Sequence, residues 1–394
     1  MAAQPTAIVV GGGIAGLASA VSLSQAGWHA TVLERAHEFG EVGAGLAITG
    51  NGMAALEAIG AAEAVRRAGY QTSAAGYQDP AGRWLLRMPD RPAARRVTTI
   101  WGIHRQRLHA TLLQAAEAAD GVKLVTDAEV TAVRPGQPRG VPAILTWRTT
   151  GKEHTMEAGL VVAADGVHST VRAQLFPGTC SRYSGSSCWR AVIPDTSSDG
   201  KLVEVWGPAA EFGAMRVSDR ELYWFGYFRH PRGASFGDEL AAARERFTGW
   251  SPQIQAVLAA TAADQLMRHE VHYLPGGLHT YVRGRVVMIG DAAHAALPTV
   301  GGGASTALED GVCVGRLIAA PVCTGADLGT ALAAFDQARR RRCRQIGQLS
   351  EMVARFGADL GGGWRQHIRN TVLRLSPPTL LVKAGTRVVN WTPP

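Results

Sequence analysis

Residues 7–25, AIVVGGGIAGLASAVSLSQ, decide the fold of this chain. The apolar run at 7–10 predicts a short buried strand, and the glycines after it open an apolar helix that reaches Gln25. Gly27 ends that helix, and residues 31–34 predict a second strand. Strand, glycine turn, helix and strand form a βαβ unit, which indicates a parallel sheet covered by helices.

The glycine turn has the spacing Gly11-x-Gly13-x-x-Gly16. The first glycine permits a tight turn, the second lets the backbone approach a pyrophosphate, and the third lets the helix pack on the strand. The amino end of the helix then offers free N–H groups to phosphates. Glu34 ends the second strand, where an acid accepts hydrogen bonds from ribose hydroxyls. The pattern predicts a site for an adenine dinucleotide but does not distinguish FAD from NAD.

The composition bounds the class of protein. The 394 residues are 46% hydrophobic and 18% charged, which is typical of a globular chain long enough for two domains. Five cysteines without a CxxC spacing argue against a disulfide framework and against a zinc site, so we expect no metal and a cytoplasmic location. No apolar run is long enough to span a membrane, and no basic lead-in suggests a signal peptide.

The net charge is +8, and the densest basic run is RRRRCR at 339–344. A basic protein can attract nucleic acid or an anionic cofactor. On a helix these arginines would point in all directions, and no nucleic-acid module accompanies them. We therefore interpret the run as a solvated helix and expect no nucleic-acid partner.

Two further motifs follow predicted buried strands. They are LVVAADGVHSTVR at 160–172 and GRVVMIGDAAHAALPTVGGGASTALEDG at 284–311. Asp165-Gly166 and Gly290-Asp291 fall where these strands end, at the sheet edge where α/β folds bind ligands. Asp291 could accept hydrogen bonds from a polyol such as ribityl, or it could simply cap a helix. The glycines at 301–303 precede a helix and would leave its amino end open.

Between residues 181 and 272 the pattern changes. Segments such as 202–206 and 222–228 are alternating or aromatic and predict antiparallel strands. We expect an inserted second layer, joined by residues 71–99. The helix-rich region 331–360 follows, and residues 361–394 form a C-terminal extension.

In this order and spacing, the motifs resemble the aromatic-hydroxylase family of flavoprotein monooxygenases, nearest to the branch of salicylate hydroxylase and zeaxanthin epoxidase. The resemblance covers about residues 5 to 345 and includes GEVGAGLAITGNGMAALEAIG, IHRQRLHATLL, WRAVIP and ELYWFGYF. It implies an α/β fold: a Rossmann-like FAD-binding domain (1–70, 100–180 and 273–360) with an inserted, mostly antiparallel β-sheet substrate domain (71–99 and 181–272) and a C-terminal helical region.

The resemblance also implies which positions hold FAD. The ADP half would lie on the glycine turn, on Glu34 with Arg35 beside it, and on the backbone of Val130. Arg105 would contact phosphate or ribityl oxygens, and Asp165 would help bind both FAD and the nicotinamide. The expected cofactor-binding residues are Gly11, Gly13, Ala15, Gly16, Glu34, Arg35, Ala47, Arg105, Val130, Asp165, Asp291, Pro298, Gly301, Gly303 and Ala304.

The chemistry that the resemblance implies is that of a single-component monooxygenase. NADPH or NADH would bind transiently and reduce FAD, and a flavin C(4a)-hydroperoxide would hydroxylate or epoxidise a small apolar aromatic or olefinic substrate. Consistent with this, the chain has no second GxGxxG for a separate nicotinamide domain. Arg190 and Tyr223 match positions assigned as catalytic in some members, although both could be ordinary sheet residues. We expect a monomer or homodimer.

The substrate wall is expected from aromatic residues of the inserted strands, because aromatic ligands favour flat apolar surfaces. The candidates are Trp189, Trp224, Phe225 and Tyr227, with Trp206 near them. Alternation places Trp224 on one face of its strand and Tyr223, Phe225 and Tyr227 on the other, so only one set can face the cofactor.

Two features remain open at this point. His294 is interpreted as a structural histidine rather than a base. Gly50-Asn51-Gly52 and Gly301-Gly302-Gly303 stand where relatives commonly have PNA and GQG, and we expect the extra glycines to loosen the loop around the cofactor.

Two other functions are considered. A flavin dehydrogenase or double-bond reductase of the same fold would form product without oxygen uptake. A non-catalytic nucleotide-binding protein would stay colourless when FAD is added.

Overall fold

The computed structural model describes residues 4–40, 43–195, 199–357 and 359–394. In chain order, its strands are β1 (Thr6–Val10), β2 (His29–Leu33), β3 (Gly45–Ile48), β4 (Tyr70–Gln78), β5 (Trp84–Arg87), β6 (Thr99–His104), β7 (Val122–Val125), β8 (Glu129–Arg134), β9 (Ala143–Thr149), β10 (Lys152–Ala158), β11 (Leu160–Ala163), β12 (Arg182–Pro194), β13 (Leu202–Gly207), β14 (Ala210–Arg216), β15 (Glu221–Arg229), β16 (Met267–Tyr273), β17 (Val282–Arg283) and β18 (Val286–Met288).

The helices, again in chain order, are α1 (Ile14–Gln25), α2 (Gly50–Ala58), α3 (Ala62–Ala68), α4 (Pro92–Thr98), α5 (Arg105–Glu117), α6 (Thr170–Leu175), α7 (Glu239–Arg246), α8 (Pro252–Ala260), α9 (Asp291–His294), α10 (Gly303–Cys313), α11 (Ala320–Cys323), α12 (Leu328–Phe356), α13 (Trp364–Leu375) and α14 (Pro378–Val389).

The predicted βαβ unit forms the centre of a six-stranded sheet with the order β17-β18-β11-β1-β2-β7. Strand β1 pairs in parallel with β2 on one side and with β11 on the other. Residues 7–10 of this strand are apolar and buried because helices cover the sheet, which is why they form a continuous hydrophobic run in the sequence. Only the edge pair β17–β18 is antiparallel within this sheet. The α/β fold class expected from the sequence is confirmed.

A nine-stranded sheet forms the second layer, with the order β16-β12-β15-β14-β13-β4-β6-β3 and β5 beside β4. Most of its pairings are antiparallel, but β13 pairs with β4 in parallel. The sheet uses the strands expected between 181 and 272, and it also takes β3 and β6 from segments that the sequence assigned to the FAD-binding domain. The domain boundaries themselves stay a prediction. Strands β10, β9 and β8 form a separate small sheet.

One face of the nine-stranded sheet carries a hydrophobic core of its own. Trp189, Phe212, Trp224 and Phe228 pack there with Phe247, at the end of α7. Helices α7 and α8 cover this face. The opposite face of the same strands is therefore the one that is left to form a site.

The C-terminal helices lie against this framework. Helix α13 contacts β5, and α14 contacts α2 and α4. Gly385 of α14 lies so close to Val97 that a side chain at that position would collide with it. Among the described helices, none combines the length and apolar character that crossing a membrane requires.

Candidate active site

The glycine turn between β1 and α1 has the geometry that its spacing predicts. Gly11 has a φ of +98°, and a Cβ there would lie 2.5 Å from the carbonyl oxygen of Ala164. A Cβ on Gly16 would collide with the carbonyl oxygen of Gly11. Helix α1 begins after Gly13 without a side-chain cap and without an acidic residue in its first turn. Its first N–H groups are therefore open to an anion such as a diphosphate.

Glu34 is fixed at the carboxyl end of β2. Its Oε2 accepts a hydrogen bond from the Gly12 N–H (2.8 Å), and its Oε1 accepts one from the Ala36 N–H (2.9 Å). Arg35 beside it is exposed. The Ala128 N–H donates to the backbone oxygen of Glu34, which brings the start of β8, with Val130, to the same end of the sheet. Glu34, Arg35 and Val130 thus lie together, outside the cavity described next.

A cavity of about 460 Å³ lies where the two sheets meet. It collects most of the residues expected around the inner half of the cofactor: Gly13, Ala15, Ala47, Arg105, Asp291, Pro298, Gly301, Gly303 and Ala304. The nine-stranded sheet supplies the facing wall, with Arg190, Tyr223, Phe225 and Tyr227 among its residues. Gly11 and Gly16 shape the turn below the cavity and do not line it.

Asp291 and α10 frame the cavity on the side of the first sheet. The Asp291 side chain is exposed toward the cavity, and its carboxylate makes no hydrogen bond with another described residue. Helix α10 begins at Gly303 without a side-chain cap and without an acid in its first turn. A hydroxyl donor can therefore be held by the carboxylate, and negative charge can be stabilised by the helix end.

Asp165 takes a role that the resemblance did not imply. Its Oδ1 accepts a hydrogen bond from the Ser169 hydroxyl (2.6 Å), and its Oδ2 accepts one from the Val171 N–H (3.0 Å). The carboxylate thus holds the start of α6, and burial raises its pKa, opposed chiefly by the bond from Ser169. Its neighbours Ala164 and Gly166 line the cavity, whereas Asp165 does not.

A buried ionic network supports α10 from behind. His294 Nε2 lies 2.5 Å from Asp310, and Arg339 is ion-paired with both Asp310 and Glu309. Although burial acts to raise it, His294 and Arg339 hold the pKa of Asp310 well below its ordinary value. His294 therefore has the structural partner expected of it. His294, Asp310 and Cys343 also have the spacing of metal ligands, but the guanidinium of Arg339 already neutralises the aspartate.

The same network corrects the interpretation of the basic run. Arg339 is buried, and Arg342 donates two hydrogen bonds to Glu309. Only part of the run faces solvent, because α12 packs against α10 and turns these two arginines inward.

The loop at Gly50-Asn51-Gly52 is also tighter than expected. Asn51 donates a hydrogen bond to Glu309 (2.6 Å), and the Thr49 hydroxyl contacts both Asn51 and Ser305. A Cβ on Gly52 would lie 2.6 Å from Ser305 Oγ. The missing side chain at position 52 therefore lets α2 pack closely on α10 and does not loosen the loop.

The two predicted catalytic residues lie on the cavity face of the nine-stranded sheet. Arg190 is opposite Phe225, and Tyr223 is opposite Val192 in the same β12–β15 pair. The Nε atom of Arg190 is buried without a hydrogen-bond partner among the described residues. Tyr223 packs on Gly45 of β3, where any side chain would collide with its ring. Burial raises the pKa of Tyr223 to about 12, although Arg190 opposes the shift, so the phenol remains a hydrogen-bond donor.

Of the four aromatic residues expected in the substrate wall, two are placed elsewhere. Phe225 and Tyr227 line the cavity, but Trp189 and Trp224 belong to the hydrophobic core on the opposite face. Their indole N–H groups donate to Glu239 (2.7 Å) and Thr261 (3.0 Å), respectively. We therefore remove both tryptophans from the substrate wall. The alternation of side chains along β15 predicted two faces without saying which one lines the cavity. The packing of Trp224 in the hydrophobic core shows that the face with Tyr223, Phe225 and Tyr227 is the one turned to the cavity.

The cavity also contains a pair of carboxyl groups that the sequence reasoning missed. Glu204 on β13 and Glu211 on β14 both line it and are hydrogen-bonded to each other. Burial raises the pKa of Glu204 to about 7, and burial together with Glu204 raises that of Glu211 well above its usual value. The pair therefore carries a proton at neutral pH. Glu204 Oε2 is buried and has no hydrogen-bond partner in the described part of the chain.

Leu202, Met215 and His269 belong to the same wall and were also missed, as were Cys188, Glu270, Val271 and His272. The sequence does contain one feature from which the cavity residues of β13 and β14 could have been predicted. It is the hairpin turn at Pro208 and Ala209, which places Trp206 opposite Glu211. Alternation from that pair places residues 202, 204, 211 and 215 on one face. His269 lies opposite Cys188 on β12, a non-local pairing that no local pattern indicates. Burial and Arg190 lower its pKa.

The residues of the cavity fit an extended flavin dinucleotide. The open end of α1 would suit a diphosphate, and Glu34, just outside the cavity, would suit a ribose, while the acceptor Asp291 and the second open helix end, that of α10, line the cavity. These are the donor and acceptor types that such a ligand requires along its length.

Comparison with known proteins agrees with this geometry. The FAD binding domain family matches residues 4–350. The chain is 33% identical over 401 residues to the aurachin C monooxygenase/isomerase of Stigmatella aurantiaca, with 98% of each chain covered. It is 31% identical over 381 residues to the 2-heptyl-3-hydroxy-4(1H)-quinolone synthase of Pseudomonas aeruginosa, with 94% of each chain covered.

Solved structures show the same fold. The crystal structure of Klebsiella pneumoniae HpxO complexed with FAD and uric acid matches with a TM-score of 0.84 at 23% identity, covering 98% of this chain and 97% of that one. A salicylate hydroxylase substrate complex matches with a TM-score of 0.77 at 19% identity, covering 98% and 96%. The family match and the two relatives together establish that the chain belongs to the FAD binding domain family, among the FAD-dependent monooxygenases.

Proposed function

We propose that the protein uses NADPH or NADH and dioxygen to hydroxylate or epoxidise a small, uncharged, largely apolar substrate, and that this substrate is a heteroaromatic ring of the quinolone type. The observation that carries the proposal is the cavity itself. One of its walls offers the residues that fit a flavin, and the other offers an aromatic surface with a proton-sharing carboxyl pair at one side and an arginine at the other.

The chain's own residues would hold the cofactor in three places. The first N–H groups of α1 would bind the diphosphate, the Asp291 carboxylate would accept a hydrogen bond from the ribityl chain, and the amino end of α10 would stabilise negative charge on the reduced ring. When bound, FAD would supply the redox chemistry that takes electrons from the nicotinamide and activates dioxygen.

The facing wall would bind the substrate ring. Phe225 and Tyr227 provide flat surface, and Leu202 and Met215 provide apolar surface without charge. Phe225 reaches over Gly213 of β14, where a side chain would collide with its ring. The missing side chain at Gly213 therefore makes room for the Phe225 ring, on which an aromatic substrate could stack, and the cavity walls would keep water from the reaction.

Polar groups stand on both sides of Phe225. In one row across the sheet, Glu204 on β13 is followed by Gly213, Phe225 and Arg190 on the next three strands. Three strand spacings separate the backbones of the outer two residues by roughly 14 Å. Both side chains line the cavity, so a bicyclic ring lying over Phe225 could donate a hydrogen bond to Glu204 and present an oxygen to Arg190.

A 4(1H)-quinolone has these two groups on opposite sides of one ring, an N–H at position 1 and an oxygen at position 4. The name of the Pseudomonas relative describes such a ring with a heptyl chain. The buried carboxyl pair would also disfavour a substrate with a carboxylate near it, because a charge buried beside protonated carboxyl groups would lose its hydration without gaining a cationic partner there. This supports a neutral heteroaromatic substrate over a salicylate-like anion.

The test is turnover by the FAD-loaded protein with a panel of 2-heptyl-4(1H)-quinolone, salicylate, urate and a simple olefin. NADPH and NADH are supplied in separate reactions, and the dioxygen is isotopically labelled. We expect the quinolone to accelerate nicotinamide oxidation and to gain one labelled oxygen atom by mass spectrometry. Salicylate is the matched anionic control and should do neither.

Two outcomes would contradict the proposal. Reduced product formed without oxygen uptake would favour the flavin reductase alternative. Oxygen transfer to salicylate in preference to the quinolone would contradict the role given to the carboxyl pair and leave the monooxygenase assignment in place.

A further inference from the structure

Helix α13 turns its apolar side chains to solvent. Trp364, Ile368, Val372 and Leu375 are between 54% and 79% exposed. Their spacing of four, four and three residues places them on one stripe of the helix. Of the nine large hydrophobic side chains that are exposed in the described part of the chain, seven lie between residues 352 and 380. The exposure is therefore concentrated at one place and is not the usual scatter over a surface.

The polar side of the same helix is the one that packs on the protein. Arg369 is only 6% exposed and donates hydrogen bonds to the backbone oxygens of Phe356, Gly357 and Trp206. Arg374 is ion-paired with the buried Asp79. These specific contacts fix the orientation of the helix. A surface helix normally buries its apolar stripe, so this inverted arrangement indicates that another apolar phase covers the stripe.

The end of α12 extends the exposed apolar surface. Met352 and Phe356, one helical turn apart, are both exposed. Because the Phe356 backbone oxygen accepts its hydrogen bond from Arg369, this end of α12 lies directly beside α13. Leu380 on α14 is exposed as well. We call the side chains of Met352, Phe356, Trp364, Ile368, Val372, Leu375 and Leu380 the C-terminal apolar surface.

The segment that carries most of this surface has charges of one sign, and three of its cations, Arg365, Lys383 and Arg387, are exposed and form no ion pair with another described residue. Residues 361–394 contain five Lys and Arg and no Asp or Glu. Arg365 is exposed at the edge of the stripe, beside Trp364. A second copy of the chain docked through this surface by a twofold axis would bring like charges together. An anionic lipid surface would instead attract them.

We propose that α13 lies in the interface of an anionic lipid bilayer, with its apolar stripe among the acyl chains and Arg365 at the level of the lipid phosphates. Trp364 has the amphipathic ring that is enriched at this depth. The helix is too short and too charged to span the membrane, in accord with the absence of a spanning helix in the described residues. An amphipathic helix that lies in the plane of the interface fits both observations.

The experiment uses the full-length FAD-loaded protein in flotation with vesicles of two compositions. One is phosphatidylcholine alone, and the other is phosphatidylcholine with an equal amount of phosphatidylglycerol. We expect flotation with the anionic vesicles and much less with phosphatidylcholine alone. High salt should reduce it, because the attraction is partly electrostatic.

The double variant Ile368→Glu/Val372→Glu should lower the anionic-vesicle partition coefficient by about tenfold or more, because it places two charges on the stripe. The matched control is Met156→Glu, a comparably exposed side chain on β10, which should bind vesicles as the unchanged protein does. Thermal unfolding and NADPH oxidation, which these exposed substitutions should leave unchanged, verify that both variants are folded.

Three results would overturn the proposal. The first is an unchanged protein that stays with neither kind of vesicle. The second is equal flotation of the unchanged protein and the double variant. The third is a dimer in analytical ultracentrifugation that Ile368→Glu/Val372→Glu converts to monomer without any vesicle binding, which would assign the surface to a second copy of the chain.

Discussion

Glu204 and Glu211 derive their properties from the cavity and not from their immediate neighbours in sequence. They are seven positions and one hairpin apart, and the pairing of β13 with β14 brings them to one face. Burial disfavours the charged form of a carboxyl group and raises the pKa of both; Glu204 raises that of Glu211 further, whereas the hydrogen bond from Glu211 partly opposes the rise at Glu204. At the residue scale, a buried carboxyl that keeps its proton is a neutral group able to exchange hydrogen bonds with a neutral ligand.

This has a consequence for stability against pH. The pKa of Glu204 is about 7 in the fold and 4.5 in an ordinary environment. A raised carboxyl pKa contributes stability that is complete below the ordinary value and is lost as pH rises through the folded value. In the cofactor-free protein, the free energy of unfolding should therefore fall by up to about 3 kcal/mol as the pH rises from ~4.5 to ~8. In Glu204→Gln this contribution to the fall should be absent.

The measurement is urea unfolding across that pH range for the unchanged protein and the variant. Glu245→Gln, at an exposed glutamate of α7, is the control and should leave the pH dependence as it is. Parallel stability curves for the unchanged protein and Glu204→Gln would show that the carboxyl pair does not titrate in this way.

At the scale of elements, the contact with α2 positions α10, whose residues Gly303, Ala304 and Ala307 line the cavity. Asn51, Thr49 and Ser305 connect the two helices, and α10 is held in turn by Arg339 of α12. The close approach of α2 to α10 depends on Gly52, because its Cα faces Ser305 and leaves no room for a side chain. A small change at this position should therefore act on the whole helix pair.

We expect Gly52→Ala to lower the free energy of unfolding by about 1–3 kcal/mol, because overpacking forces the two helices apart. Gly50→Ala is the matched control in the same helical turn, since the nearest atoms to a Cβ there are 3.9 Å away. That substitution should stabilise the helix by up to about 1 kcal/mol. The free energy of unfolding of both variants is measured by urea unfolding. Equal changes in the two variants would contradict the close packing at position 52.

The elements differ in how far the sequence could predict them. Strand β1, helix α1 and strand β2 follow from local periodicity and from glycines whose spacing has a steric reason, and all three were predicted closely. The cavity face of β15 could be narrowed only to two choices, because alternation defines two faces without saying what covers each. His269 reaches the cavity through a pairing between β12 and β16, and the inverted orientation of α13 depends on Arg369 and its backbone partners. Such long-range contacts leave no local signal.

At the scale of the whole molecule, the two sheets supply different halves of one chamber. The six-stranded sheet and its helix ends provide Gly13, Ala15 and Asp291, while the nine-stranded sheet provides Arg190 and Phe225. A ligand that contacts both should therefore stabilise the whole molecule and not one layer alone.

Asp291→Ala tests this linkage. A hydrogen bond to a charged group contributes about 1.5–3 kcal/mol, so the dissociation constant for FAD should rise by about 10- to 100-fold. The Tm of the cofactor-free protein should not change, because the carboxylate makes no hydrogen bond within the described chain. The rise in Tm on adding FAD should shrink accordingly.

Fluorescence titration with FAD and thermal unfolding with and without FAD provide the two readouts. Asp219→Ala, at an exposed position outside the cavity, is the control and should bind FAD as the unchanged protein does. Unaltered FAD affinity in Asp291→Ala would remove this residue from the cofactor site.

The order of the strands has a consequence for synthesis on the ribosome. The first cavity residues are Gly13, Ile14 and Ala15, whereas the last are Gly303, Ala304 and Ala307. Strand β11 also lacks its neighbour β18 until residues 286–288 have been made. A nascent chain that ends before residue 303 therefore lacks the last cavity residues, and we expect the vitamin-derived cofactor to be captured only after Ala307 has left the exit tunnel.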